Sequence, residues 1–233
     1  MVIEVNRPEA VYYLPEGLPQ HKIDNFREHG TEPDLIPLLE QIFERKQGDI
    51  ITAGVYVGGL LPTLCRLGRH VWAWDCVSEH VHCAGRMLTK NGIRNCTLRL
   101  AALGDEKDTV TVTTGCAGAE WLGGESCVLE DGRPVNDLLD FDGYELRTQT
   151  VEQTTIDTFI DDYTDLALIQ LDLEGYEIAA LAGARKTIER FRPVIIVEDR
   201  RTITHTLLET LGYRYQGTRS GDRIYIHRLD LDK

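Results

Sequence analysis

The sequence predicts an α/β fold, a doubly wound, mostly parallel, Rossmann-like sheet with an antiparallel pair at its edge. Three observations point there. Short apolar runs alternate with helix-period segments from residue 34 to 103 and again from 154 onward, the pattern of a parallel sheet covered by helices. LALIQLD and PVIIVE are almost continuously apolar, as strands buried on both faces are. The closing segments YRYQG and DRIYIHRL read as an antiparallel pair.

The elements follow in order. DLIPLLEQIFERK, 34 to 46, is an amphipathic helix with Leu35, Leu38, Leu39, Ile42 and Phe43 inward, ended by Gly48. DIITAGV is a first strand. Leu60 to Leu67 is a helix that tolerates Pro62 in its first turn. HVWAWD is a second strand ending on an acid, and Ser78 is an N-cap for a helix running to about Lys90. Asn91-Gly92 is a turn and NCTLRLAAL a third strand. Thr109 to Thr114 reads as a strand. Residues 115 to 148 carry six glycines and no sustained period, the signature of an insertion or lid. TTIDTFI is a short helix, LALIQLD the next strand, Glu174 to Arg190 a helix, Pro193 to Glu198 a strand and Thr202 to Leu211 a helix stopped by Gly212. The expected organisation is one domain, 1 to 233, with an N-terminal helical extension, 1 to 47, and the 115 to 148 insertion within it.

Composition narrows the function. A hydrophobic content of 42% supports a core. A net charge of −13, with no Lys/Arg stripe, argues against nucleic acid. No apolar run is long enough for a membrane helix, the N-terminus lacks secretory-signal character, and six cysteines form no CxxC pair. The expectation is a cytoplasmic protein with free thiols, neither membrane nor metal in its partnership, and an open oligomeric state that includes a dimer. His80, His82 and Cys83 do not share one helix face.

Ligands on such sheets bind at the carboxyl ends of the strands, near the switch in strand order. Four ends carry distinctive residues: TAGVYVGG, Asp75, AALGD and Asp172-Leu173-Glu174. Gly54 and Gly58 allow a tight turn, and Asp75, about 20 residues on, suits a ribose diol. The pair indicates an adenosine-type cofactor. GxGxxG and GxxxxGK[ST] are both absent, which favours S-adenosylmethionine over a dinucleotide or nucleoside triphosphate. The plainer reading is that the glycines shape a turn and Asp75 caps it. Asp172 and Glu174 could likewise cap the following helix. His205 reads as a surface histidine, and Trp121 as a stacking platform or a loop anchor.

Residues 151 to 199, VEQTTIDTFIDDYTDLALIQLDLEGYEIAALAGARKTIERFRPVIIVED, resemble the FkbM family of S-adenosylmethionine-dependent methyltransferases. The matching motifs are Thr155-Ile156-Asp157, Leu171-Asp172-Leu173-Glu174-Gly175-Tyr176-Glu177, Gly183-Ala184, and Arg192-Pro193 to Glu198. A second match spans 49 to 105. Ala53-Gly54 and Gly58 with Leu61-Pro62 resemble the family's cofactor loop, Asp75-Cys76 its ribose acid, and Ala102-Leu103-Gly104-Asp105 a further family motif. Thr52 stands where methyltransferases usually place an acid, Tyr56 where a small residue is usual, and Asp75-Cys76 where Glu-Pro is usual. The resemblance implies a class I methyltransferase fold and cofactor contacts from Thr52, Ala53, Gly54, Gly58, Leu61, Asp75, Cys76, Ala102 and Asp172. Glu174 and Glu198 are the candidate general bases for O-methylation of a small hydroxylated acceptor. The alternative is a catalytically silent adenosine-cofactor or metabolite binding protein. A short-chain oxidoreductase lacks both GxGxxG and a Tyr-xxx-Lys pair.

Overall fold

The structure is a computed structural model that describes residues 2–117, 126–129, 145–198 and 203–231. In chain order its elements are β1 Val2–Asn6, β2 Val11–Pro15, α1 Gln20–His29, α2 Ile36–Arg45, β3 Ile50–Ala53, α3 Leu61–Leu67, β4 Val71–Asp75, α4 Ser78–Lys90, β5 Cys96–Leu100, β6 Ala102–Leu103, β7 Asp108–Ala117, β8 Glu145–Thr154, β9 Leu168–Leu171, α5 Glu177–Ala182, α6 Arg185–Phe191, β10 Val194–Val197, α7 Ile203–Thr210, β11 Tyr213–Arg219 and β12 Asp222–His227.

The main sheet has seven strands in the order β11-β12-β10-β9-β3-β4-β5. The pairs β10-β9, β9-β3, β3-β4 and β4-β5 are parallel, while β12 is antiparallel to both of its neighbours. The chain builds β3, β4 and β5 outward to one side, then returns to lay β9 and β10 on the other. The switch in order therefore falls between β3 and β9. This is the predicted α/β class, including the antiparallel pair at one edge.

Alternation along the central strands divides the core in two. Ile50, Val71, Ala73, Leu168, Val194 and Ile196 face a layer formed by the N-terminal hairpin and α1 to α4. Ile51, Ala53, Trp74, Ile169, Leu171, Ile195 and Val197 face the opposite layer, which includes α5, α6 and Tyr163. Every residue of β3, β9 and β10 is buried, so these strands read as apolar runs, broken only by Thr52 and Gln170, which hydrogen-bond to each other.

Several elements depart from expectation. Within residues 1 to 47 the chain is helical only from Gln20; Val2–Asn6 and Val11–Pro15 pair as an antiparallel hairpin. That hairpin docks on α4 through Asn91, whose side-chain oxygen accepts from the Val11 backbone N–H (2.9 Å) while its amide donates to the Val11 carbonyl (2.8 Å). Arg86 stacks over the Tyr13 ring at 4.4 Å. The third strand breaks after Leu100, and Ala102–Leu103 joins a separate three-stranded sheet, β6-β8-β7. The long antiparallel pair β7-β8 brackets the expected 115 to 148 insertion. Most of that insertion lies outside the described residues. The described 126–129 run along β7, with the Cys127 N–H donating to Thr113 Oγ1 (3.0 Å) and Val128 bridged to Val112. The short helix expected over 154 to 160 is a single 3-10 helix, Ile156–Phe159, and Thr154 still belongs to β8. Ser78 opens α4 without capping it; its hydroxyl donates to Gln149 (3.1 Å).

The expected helix over 174 to 190 is two helices, α5 and α6, parted at Gly183. A Cβ on Gly183 would stand 2.0 Å from the Gly104 carbonyl oxygen, so the close packing expected there is real and involves two backbones. Asp157 supports the second half: its carboxylate accepts from the Lys186 N–H (3.0 Å), the Thr187 N–H (2.8 Å) and the Thr187 hydroxyl (2.8 Å). It thereby satisfies N-terminal donors of α6 that have no partner within the helix. Asp157→Ala should lower unfolding free energy by about 1–2 kcal/mol, the scale of a lost helix cap. Urea unfolding measures it, and unchanged stability would dismiss the carboxylate as a cap.

Candidate functional site

Two clefts open at the carboxyl ends of the central strands, on either side of the switch point. The Asp172 N–H donates to the Ala53 carbonyl (3.1 Å) and the Gly54 N–H to the Trp74 carbonyl (3.0 Å), so the three strand ends are tied before they separate. Gly54 has φ +81°, and a Cβ there would lie 1.7 Å from the Asp172 carbonyl oxygen. Glycine is required at this position by a neighbouring strand as well as by the turn.

The first cleft is lined by Ala53, Gly54, Tyr56, Trp74, Asp75, Cys76, Ala101, Ala102, Leu103, Ser126, Val128, Asp172, Leu173 and Tyr176. Asp75, only 5% exposed, organises it. Its Oδ2 accepts from the Tyr56 backbone N–H (2.8 Å) and its Oδ1 from the Val77 N–H (2.8 Å), with His80 Nδ1 at 3.1 Å. One carboxylate thus fixes the loop after β3 to the start of α4. Tyr56 takes φ +50° and sets its ring edge-on to His80, 4.9 Å between centroids. Burial pushes the Cys76 thiol well above its ordinary range, with Asp75 adding to the shift, so Cys76 is a neutral wall residue. The Trp74 indole N–H is buried with no hydrogen-bond partner among the described residues.

The second cleft is lined by Thr31, Glu32, Thr52, Gly54, Val55, Tyr56, Leu60, Leu61, Leu64, Gln170, Asp172 and Glu174. Thr52 is 2% exposed, and its hydroxyl donates to the Gln170 side-chain oxygen across β3 and β9. Beyond Leu171 the chain turns sharply through Glu174 (φ +50°) and Gly175 (φ +98°). A non-glycine residue in the left-handed region carries a strain of about 1–2 kcal/mol. Glu177 holds this turn: buried at 3% exposure, its Oε1 accepts from the Leu173 N–H (2.9 Å) and the Gly175 N–H (3.1 Å). Helix α5 begins at Glu177, and its N-cap residue Tyr176 makes no side-chain cap.

The turn brings acids together. Asp172, Glu174 and Glu198 each place a carboxylate oxygen within 4.8 Å of the others. Burial raises the Asp172 carboxyl well above the usual range, followed by its hydrogen bond to Glu198 and the charges of Glu198, Glu174 and Glu32. Burial also lifts Glu32 to about 7, with Glu198 adding repulsion, and Asp222 to about 7, with Glu32 and Glu198 adding theirs.

Of the residues expected around a cofactor, Ala53, Gly54, Asp75, Cys76, Ala102 and Asp172 meet in the first cleft, whereas Thr52 and Leu61 line the second. Gly58 is packed under α4, where a Cβ would meet Met87 at 2.8 Å. Glu174 stands on the second cleft with Glu198 beside it. Sequence reasoning missed Trp74, Leu173 and Tyr176 in the first cleft, and Glu32 and Asp222 near the second. Trp74 was adjacent to a chosen strand end. Glu32 and Asp222 come from distant chain segments and carry no local signal.

A family model described as "Methyltransferase FkbM domain" matches residues 77–216. Among curated proteins no sequence matches. Among solved structures, the methyltransferase FkbM from Methylobacillus flagellatus KT superposes with a TM-score of 0.50 at 14% identity, over 88% of this chain. The chain spans 60% of that protein's length. A methyltransferase from Geobacter sulfurreducens gives a TM-score of 0.48 at 14% identity, over 92% of this chain and 90% of that one. At these identities the likeness is one of fold.

Glu32 and Asp222 have an expected consequence for stability. A carboxyl whose pKa is raised by folding favours the folded state while protonated. Its contribution is complete below the unfolded value, near 4.5 for Glu32, and is lost as pH rises through about 7. In metal-free buffer the melting temperature should be higher at about pH 5.5 than at about pH 8, and Glu32→Gln should narrow the gap. Equal melting temperatures in the unmodified protein would refute the shifts.

Proposed function

The chain belongs to the FkbM methyltransferase family, and from that premise we propose that it uses S-adenosylmethionine to O-methylate a small hydroxylated acceptor. The observation that carries this reading is that the two clefts share Gly54, Tyr56 and Asp172. A donor in one and an acceptor in the other would meet across a single wall.

The residues of the first cleft fit the cofactor. The Trp74 N–H, buried with no partner among the described residues, is a donor suited to a ligand acceptor. Asp75 Oδ2 accepts one N–H and retains capacity for a hydroxyl, since an ionised carboxylate has about four acceptor positions. Cys76, Ala102, Leu103 and Val128 offer flat apolar walls. When bound, the cofactor supplies a methyl group carried on positively charged sulfur. The protein's part is alignment, which is worth several kcal/mol in a transfer of this kind. Leu173 and Tyr176 close the first cleft on the β9 side. Tyr176 is braced by the hydrogen bond from its hydroxyl to Gln153 (2.9 Å). On the second side, an acceptor hydroxyl must lose its proton. Glu174 and Glu198 stand nearest, beside Asp172, whose carboxyl is held above its usual range by burial and by its hydrogen bond to Glu198.

A second reading, a binding protein of the same fold without turnover, is favoured by one observation: Asp75 already uses both oxygens to hold the Tyr56 loop and α4. Calorimetry with S-adenosylmethionine, and product analysis over a panel of small hydroxylated compounds, separates the two. The enzyme reading expects cofactor binding and S-adenosylhomocysteine formation that depends on an acceptor. Asp75→Ala should weaken S-adenosylhomocysteine by about 1.5–3 kcal/mol, the scale of hydrogen bonds to a charged group. Glu174→Gln should lower kcat with little change in the KM for S-adenosylmethionine, and should remove one limb of the pH profile. Tight cofactor binding with no turnover across the panel would favour the silent binder; absence of binding would sink both.

A further inference from the structure

The acids around Asp172 form a feature that cofactor binding does not explain. Asp172, Glu174 and Glu198 bring three carboxylate oxygens within 4.8 Å of one another. An acidic cluster alone identifies nothing, but Asp222 adds a separate observation. It is 3% exposed, its Oδ1 has no hydrogen-bond partner among the described residues, and it lies close enough to Glu32 and Glu198 to be repelled by both. The strand register explains this: Val197 of β10 pairs with Arg223 of β12, so Asp222 comes beside Glu198 one step further on. Asp172 Oδ1 and Glu32 Oε2 are likewise buried without a hydrogen-bond partner. An unpaired buried acceptor opposes folding, and here three of them converge from three parts of the chain.

We propose that this cluster binds one hard divalent cation, with Asp172, Glu174 and Glu198 as its ligands and Glu32 and Asp222 as flanking charges. The donor set is all carboxylate, which selects magnesium, calcium or manganese over zinc or copper. The spacing fits such an ion. Oxygens on opposite sides of calcium, each about 2.3–2.6 Å from it, lie roughly 4.6–5.2 Å apart; around magnesium the figure is about 4.0–4.2 Å. The three oxygens here all lie within 4.8 Å of one another, close enough to share one such ion. Three protein ligands leave positions open, because such ions take about six to eight oxygens.

Those open positions border the second cleft, which Asp172 and Glu174 line. Given the reading of that cleft as the acceptor site, they fit an acceptor that chelates through two oxygens, a vicinal diol or a hydroxy acid. Glu174 and Glu198 then act on the acceptor through the ion, orienting its hydroxyl and lowering its pKa.

The test uses the full chain, chelator-treated and free of cofactor, titrated with CaCl2, MgCl2 and MnCl2 by calorimetry and by thermal melting at constant ionic strength. The expected result is saturable binding of one ion per chain, with a raised melting temperature. Glu198→Gln and Asp172→Asn should weaken binding about tenfold or more, as loss of a charged ligand does. Both variants are expected to fold, since each removes a negative charge from a crowded group; their ion-free melting temperatures check this. Asp161→Asn, on a side chain 92% exposed and remote from the cluster, should bind as the unmodified chain does. Absence of saturable binding up to about 10 mM, roughly tenfold beyond the weak end of calcium sites, would overturn the inference, as would binding indifferent to both variants. Calorimetry with S-adenosylmethionine in chelator keeps the two readings apart: cofactor binding without ion binding removes the ion alone, and ion binding without cofactor binding removes the methyltransferase reading alone.

Discussion

The molecule depends on one close backbone approach. Where β3 ends, Gly54 passes so near the Asp172 carbonyl that no side chain fits between them. That contact sits at the reversal of strand order, the one place in an open parallel sheet where two neighbouring strands send their connections in opposite directions. The chain leaves β3 towards α3 and leaves β9 towards α5, so the clefts open to either side of the contact. Move the two backbones apart and the wall shared by both clefts is lost. Asp75 works to the same end from β4, holding the Tyr56 loop and α4 with one carboxylate.

A second constraint lies one turn further on. The path from Leu171 to Glu177 runs through two successive left-handed residues, one of them a glutamate. Such a path persists only where surrounding contacts fix it. Glu177 does so by accepting two backbone N–H groups from inside the protein. The arrangement separates the labours of three acids within six residues: Glu177 secures the turn, and Asp172 and Glu174 are left to face the clefts. Burial, and then crowding by neighbouring acids, raises the proton affinity of Asp172, Glu32 and Asp222, so the charge of this corner responds to whatever positive group arrives.

The legibility of the sequence follows the same physics. The central strands were readable because burial on both faces demands continuous apolar runs, and the strand-end acids stood out against them. The hairpin at Val2–Pro15 was not, because its strands are five residues each and one is mostly half-exposed. Strand β8, ELRTQTVEQT, escaped because it is polar almost throughout; its partner is β7, far along the chain and across the insertion. Within the site, Asp75 and Asp172 were legible from position alone. Thr52 was expected near the cofactor, yet its hydroxyl is turned to Gln170 on the neighbouring strand, a pairing that only the parallel register creates. Glu32 reaches the cluster from the segment before α2 and Asp222 from the first position of β12, and no local pattern announces an approach made across 190 residues of chain.

Asn91 illustrates how docking can govern the chemical lifetime of a protein. Asparagine followed by glycine is the dipeptide in which the side-chain amide is most readily lost, because the unhindered glycine nitrogen attacks the amide carbon to close a succinimide ring. Here that step has little freedom. The Gly92 N–H is engaged with the Thr89 carbonyl (3.2 Å), and the Asn91 amide is held by Val11 on both its oxygen and its nitrogen, and by the Met87 carbonyl (2.7 Å). The same bonds that seat the N-terminal hairpin therefore shield the residue from ageing. The dependence runs both ways: conversion to aspartate would remove the donor and set a negative charge against the Val11 carbonyl, so a chain that had shed its hairpin long enough to deamidate could not seat it again in the same way.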